Sequence, residues 1–361
     1  LEGVRPKECD YCWKMEDLGK NVISDRTHKS VIYTDQELLD AKDKLGATED
    51  VDLKTLEISF DAICNFACSY CNASFSTTWQ KDINKSGPYV EAFWKWWEGE
   101  LQHSLRELRV TGGEPSMSRQ FWKLMKWWET NQNSEIDFAI NSNLGISDKI
   151  MDALIKYSHN VKSFHIYTSC EAYGTHAEYI RDGLDWRKWL SNVDRILEEG
   201  NIKSLNMMLT INSLCLFSLP EFMDEMMKIK RKHKSSSPVT SFNVLRFPSF
   251  QSVVTLPMEM RLERADALEQ WLKDNYTDGS NYFMDWEKDG MVRLIDYLRN
   301  MEDGHNHTSS IETRERDFKS FYKQYDKRRG KDFLETFPML KKWWDLIPDT
   351  NIKELETTLN G

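Results

Sequence analysis

The sequence lacks any apolar, uncharged run approaching the ~18 residues that a membrane-spanning helix needs, and no signal peptide is visible. Leu205–Pro220 carries no charge, but Asn, Thr and Ser interrupt it, and it reads as a buried strand followed by a loop. Positive charge is also short. Lys and Arg number 48 against 58 Asp and Glu, giving a formal net charge of −10. General nucleic-acid binding needs a net or local excess of basic side chains, so this balance argues against it. The two short basic runs, Lys228–Lys234 and Lys327–Lys331, read as solvated helix ends or loops.

Cysteine is sparse, and its placing matters more than its number. Of 7 Cys, five fall in two tight groups, Cys9/Cys12 and Cys64/Cys68/Cys71. In an acidic chain without a secretion signal, grouped thiols point to metal rather than disulfides, and to a reducing cytoplasm. Cys170 and Cys215 stand alone and read as buried small hydrophobes. What is plentiful is apolar material, 40% of 361 residues, with 14 Trp. That is enough for a large core, in two domains or in one barrel-sized domain with additions.

After a polar first fifty residues with one short helix at Leu38–Leu45, strand and helix patterns alternate. The predicted strands are Leu53–Phe60, Glu107–Val110, Glu135–Ile140, Val161–Thr168, Leu205–Ile211 and Thr240–Arg246. Amphipathic helices are predicted between them over Pro88–Arg106, Ser118–Thr130, Ser147–His159, Trp186–Glu199 and Pro220–Lys232. Six strands separated by helices imply a parallel sheet with right-handed crossovers, a partial (β/α)6 TIM-like barrel of the α/β class. Such barrels gather their chemistry on loops after the strands' carboxyl ends. Beyond Pro257 the pattern is helical, over Met258–Asn275, Trp286–Met301, Ile311–Arg328 and Lys331–Leu346. The expected division is therefore 1–50, a short Cys-containing segment; 51–256, the barrel; and 257–361, a helical extension. The Trp groups on the helices read as packing on the barrel exterior, and His305 and His307 as a solvated linker pair.

Cys64-Asn-Phe-Ala-Cys68-Ser-Tyr-Cys71 follows the first strand with C-x3-C-x2-C spacing. Three thiolates this close can converge on one metal or one cluster. Structural zinc would want a fourth ligand. A cubane held by three Cys leaves one iron open to a substrate or cofactor.

Together with Gly112-Gly-Glu-Pro115 straight after the second strand, this motif resembles the signature of the radical S-adenosylmethionine (SAM) superfamily, with Tyr70 at its aromatic position. The resemblance covers roughly Leu53 to Pro257. It implies a 4Fe–4S cluster on Cys64, Cys68 and Cys71 whose open iron chelates SAM, and whose electron releases a 5′-deoxyadenosyl radical. It implies that Gly112, Gly113 and Glu114 hold the SAM amino group, that Tyr70 lies beside the adenine, that Ser169 and Glu171 reach the ribose, and that Arg181 meets the methionine carboxylate. Asn141 and Asn143 would line the cavity. Turn chemistry is the competing reading for the two Asn, and a surface charge for Arg181. The stretch Thr168-Ser-Cys-Glu-Ala172 departs from the commoner Ser-x-Asp pattern. The resemblance also implies an electron donor of flavodoxin or ferredoxin type.

Cys9-x2-Cys12, with Ser24 and Arg26 downstream, resembles the auxiliary-cluster segment of twitch-domain radical SAM proteins, relatives of the SPASM maturases. That resemblance implies a second iron–sulfur site completed by Cys upstream of Leu1, the chain being a fragment, and a peptide or protein substrate. A redox pair or half a zinc site are the other readings of these two Cys. A small-molecule substrate, or a non-catalytic metal-binding scaffold, are the alternative functions.

Overall fold

A computed structural model describes residues 32–43, 53–80, 88–277, 282–301 and 309–349, with the single residues 5, 7 and 13. The chain divides into two compact units, 1–57 with 87–108, and 58–86 with 109–361.

In the first unit, helix α1 (Asp35–Asp43) carries Glu37 in its first turn. Arg106 grips that carboxylate with both nitrogens, at 2.6 and 2.9 Å. The guanidinium hydrogen bonds and two donors from Thr34 hold the Glu37 carboxyl down at about 2. Helix α2 (Pro88–Trp96) runs into a π-helical turn, Trp97–Leu101, and then a last helical turn, Gln102–Ser104. Phe93 and Trp97 stack at 5.7 Å and are buried.

The sheet has the order β1 (Thr55–Ser59), β3 (Glu107–Thr111), β4 (Asp137–Ser142), β5 (Ser163–Thr168), β7 (Ser204–Ile211), β8 (Val239–Val244). The β4–β5, β5–β7 and β7–β8 pairings are parallel. Among the described residues β1 and β8 are the sheet's two edges, and the sheet is open. This is the partial barrel that the alternating pattern predicts. A two-stranded ladder, β2 (Ala67–Cys68) with β6 (Arg181–Asp182), stands apart from it.

Strand alternation sorts the side chains in the second unit. Phe138, Ile140, Phe164, Ile166, Met207 and Leu209 are buried on the helix-covered face. Trp128 of α3 (Arg119–Thr130) meets Phe138 at 4.5 Å, and Phe138 stacks on Phe164 at 5.3 Å. The other crossover helices are α4 (Asp148–Ser158), α5 (Gly174–Ile180), α6 (Trp186–Glu199) and α7 (Leu219–His233). The opposite face of the sheet bears Asn141, His165, Tyr167, Asn206 and Thr210, all half-buried.

After β8 come α8 (Met258–Asn275), α9 (Asp285–Asn300), α10 (Ile311–Arg329), α11 (Phe333–Thr336) and α12 (Lys341–Leu346). Phe318, Tyr322, Phe333, Trp343 and Trp344 form one aromatic core among them. Of the Trp groups on the helices, Trp94, Trp97, Trp128, Trp343 and Trp344 are buried in helix packing, whereas Trp96 is exposed.

Candidate active site

The loop after β1 and the ends of β3, β4 and β5 enclose a cavity of about 230 Å³. Cys64, Cys68 and Cys71 all line it, and all three are free thiols. Burial raises the pKa of each, and that of Cys68 is pushed up to about 12 even though the Arg181 cation opposes the shift. Among the described residues, no three His, Cys, Asp or Glu side chains surround a single metal-ion position. A cubane does not ask for that, because it takes each protein thiolate on a different iron. Three free thiols on one cavity, with no fourth among the described residues, fit such a cluster with one iron left open.

Gly112 and Gly113 line the same cavity. They are glycines for a backbone reason. A Cβ at Gly113 would lie 2.3 Å from the Ile63 carbonyl oxygen, and one at Gly112 would lie 2.6 Å from that of Asp61. Gly112 also sits at φ +133°, which side-chain-bearing residues rarely adopt. Only Gly lets this turn lie against the loop that leads into Cys64.

Glu114 is buried and does not line the cavity. Its Oε1 accepts from Ser116 N, Ser116 Oγ and Ser142 Oγ at 3.1, 2.6 and 2.8 Å, and its Oε2 from Asn143 N at 2.6 Å. Burial still raises its pKa above the usual range, against those donors. Glu114 thereby ties the Gly-Gly turn to the end of β4.

Asn141 and Asn143 both line the cavity, in different ways. Asn143 donates to Asn65 Oδ1 at 2.8 Å and accepts from Gly145 N at 2.8 Å, so it holds the loops together. Asn141 lies within β4 rather than after it, and its buried Oδ1 has no hydrogen-bond partner among the described residues.

Ser169 lines the cavity and Glu171 does not. The Glu171 carboxylate faces Arg181, with Nη2 at 2.6 Å and Nε at 3.2 Å, and accepts from the Tyr70 hydroxyl at 3.1 Å. The Arg181 cation also sits 5.4 Å from the centre of the Tyr70 ring. Its remaining nitrogen, Nη1, points at Cys68 Sγ, 3.8 Å away. Arg181 is buried, not a surface charge. Cys9 and Cys12 lie outside the described residues, as do His305 and His307.

A second layer escaped the sequence reading. Gln251 donates to Ser69 O at 2.9 Å, and Tyr325 donates to Ala67 O at 3.0 Å. Tyr322 meets Ser69 Oγ at 3.5 Å. These residues fasten the Cys loop from behind. They lie 182 to 258 positions away from it in sequence and belong to no local motif. Cys170 and Cys215 are fully buried, as small hydrophobes should be.

No curated protein matches the chain. Among solved structures, SuiB of Streptococcus suis bound to S-adenosylmethionine is similar at 13% identity, with 75% of this chain and 59% of that one covered and a TM-score of 0.45. SuiB bound to the precursor peptide SuiA aligns at 13% identity over 77% and 60%, with a TM-score of 0.44. anSMEcpe with bound AdoMet aligns at 15% identity over 70% and 69%, also at 0.44. The chain spans about three fifths of the length of SuiB. Residues 58–225 match the profile of the Radical SAM superfamily. The Cys loop, the Gly-Gly turn and the whole of β3 fall in that span, and this part of the chain therefore matches a radical SAM domain.

Proposed function

We propose that the chain is a radical SAM enzyme whose substrate is a peptide or protein. A 4Fe–4S cluster held on Cys64, Cys68 and Cys71 would supply one electron to bound SAM, releasing the 5′-deoxyadenosyl radical that takes a hydrogen atom from the substrate. The observation that carries this reading is the cavity itself: three free thiols, a Gly-Gly turn and a buried guanidinium face one space.

The chain's own residues have the following parts. The three thiolates hold the cluster, and their raised pKa values mean that loading it must displace protons. Backbone groups of the Gly112–Gly113 turn take the SAM amino group, while Glu114 fixes the turn. The Nη1 edge of Arg181, on the cavity beside Cys68, would meet the methionine carboxylate, and Glu171 holds the guanidinium in place. Ser169 reaches the ribose, and Tyr70, pinned by its hydroxyl, flanks the adenine. Asn141 and Asn143 wall the cavity toward the sheet. An electron donor of flavodoxin or ferredoxin type would supply the electron to a cluster held there.

The peptide reading rests on the Cys9–Cys12 segment and its resemblance to twitch-domain proteins, which also brings the second, auxiliary cluster; the grouped thiols of an acidic chain favour a cytoplasmic setting. Among the described residues no helix is long and apolar enough to cross a membrane.

The test is anaerobic reconstitution with iron and sulfide, followed by reduction and electron paramagnetic resonance. The wild-type protein is expected to give a reduced-cluster signal that SAM alters, and Cys68→Ala to lose it. A wild-type cluster whose signal ignores SAM would overturn the reading.

A further inference from the structure

We infer that the inner face of the open sheet holds a binding site for a carboxylate group, with Arg109 as its anchor. Naming the carboxylate's owner as the substrate rests on the radical reading above; the site itself rests on geometry.

Arg109 lies on β3 two residues before Thr111, which lines the cavity. Side chains at i and i+2 share a face, about 6.7 Å apart along the strand, so Arg109 sits one pleat deeper on the cavity side. Its guanidinium carbon lies 4.1 Å from the centre of the Tyr167 ring. Tyr167 in turn is the register partner of Asn141 on one side and of Asn206 on the other.

The half-buried Arg109 has no hydrogen bond and no ion pair among the described residues. Its counterparts do: Arg181 meets Glu171 at 2.6 Å, and Lys230 meets Glu287 at 2.7 Å. A cation withdrawn from water without an acid is costly to keep. Stacking on Tyr167 recovers part of that and fixes the guanidinium, while leaving its N–H fork without an acceptor. Beside it, the buried Asn141 Oδ1 has no hydrogen-bond partner either, and no protein group meets the Tyr167 hydroxyl among the described residues. One strand of this sheet face thus offers an unmatched positive fork, and its neighbours offer an amide and a phenol. A planar anion with two acceptor oxygens suits the fork, and an adjoining amide suits Asn141.

The experiment is equilibrium dialysis on the reconstituted full chain with three probes: Nα-acetyl-glutamate α-amide, Nα-acetyl-alanine and the neutral Nα-acetyl-glutamine α-amide. The first presents a side-chain carboxylate and the second a chain-terminal one, so their ranking identifies the source. At least one should bind about tenfold or more tighter than the neutral probe. Arg109→Gln should remove that preference, and Arg109→Lys should restore part of it. Circular dichroism checks that the variants fold, and the wild-type discrimination needs no variant. Equal binding of neutral and charged probes, or an unchanged preference in Arg109→Gln, would overturn the inference. Loss of probe binding on saturation with SAM would also overturn it, by assigning Arg109 to the SAM carboxylate. Dialysis requires no turnover, so a failure here leaves the radical reading standing, and a failure to cleave SAM leaves this one standing.

Discussion

Cys68 and Arg181 are register partners in an antiparallel ladder, and Arg181 Nη1 lies 3.8 Å from Cys68 Sγ. The ladder is only two residues long. It nonetheless fixes the middle thiol of the Cys loop against a cation that Glu171 holds at 2.6 Å. Arg181 and Glu171 side chains are 5% and 1% exposed, so neither charge can fall back on water. Replacing one partner strands the other. Glu171→Gln should therefore cost about 3–5 kcal/mol of stability. Denaturant unfolding measures this, and Tyr70→Phe, which removes one hydrogen bond, should cost only about 1 kcal/mol.

The Gly-Gly turn has no room for a side chain. Gly113→Ala would drive its Cβ against the Ile63 and Ala62 carbonyls, and these are backbone atoms that cannot swing away. Iron content after reconstitution should fall well below wild type. Gly99 has nothing within 4 Å of the corresponding position, so Gly99→Ala should leave iron content unchanged.

The alternating strands and helices, and the site that follows the first two strands, were legible because both leave local marks. Hydrophobic period and Cys or Gly spacing are read within a dozen residues. Boundaries shifted where a tertiary contact decided them. Asn141 pairs with Tyr167 in the sheet, so β4 runs to Ser142 rather than stopping at Ile140. The π turn at Trp97–Leu101 was read as plain helix, because Trp97, Leu101 and Leu105 keep a four-residue spacing. The β2–β6 ladder is too short to show any periodicity. Glu171 shows what spacing does not carry: a carboxylate beside a buried guanidinium pairs with it, across ten residues of chain. Gln251, Tyr322 and Tyr325 carry no mark of their distant partners.

A second buried ion pair sits far from the cavity. Lys230 of α7 and Glu287 of α9 have fully buried side chains, and burial lowers the Lys230 pKa against the pull of Glu287. Glu287 also accepts from Thr240 N, Thr240 Oγ1 and Met284 N, at 2.7, 2.6 and 2.9 Å. Glu287→Gln should cost about 3–5 kcal/mol. The pair Lys230→Met with Glu287→Leu should recover only part of this, because the Thr240 and Met284 donors lose their acceptor. Thermal and denaturant unfolding of the two variants beside wild type checks the order.

Stability should fall in mild acid through His176. Its ring contacts Phe337 at 4.4 Å, and its Nε2 lies 3.0 Å from Thr336 O. Burial lowers its pKa below the usual 6.5. Between that lowered value and 6.5 the unfolded chain binds a proton that the folded chain does not, so stability rises with pH across this window and drops as acid is added. His176→Gln should flatten the dependence of the melting temperature on pH between about 7 and 5. An unchanged slope would remove His176 from this account.

The most direct measurement of the central claim is chromatographic detection of 5′-deoxyadenosine. The protein is reconstituted without oxygen, reduced with dithionite and given SAM, beside a Cys68→Ala control. The account predicts 5′-deoxyadenosine from wild type and none from Cys68→Ala. Wild-type protein with an intact, reduced cluster that forms no more product than the control, with or without candidate peptides, would contradict it.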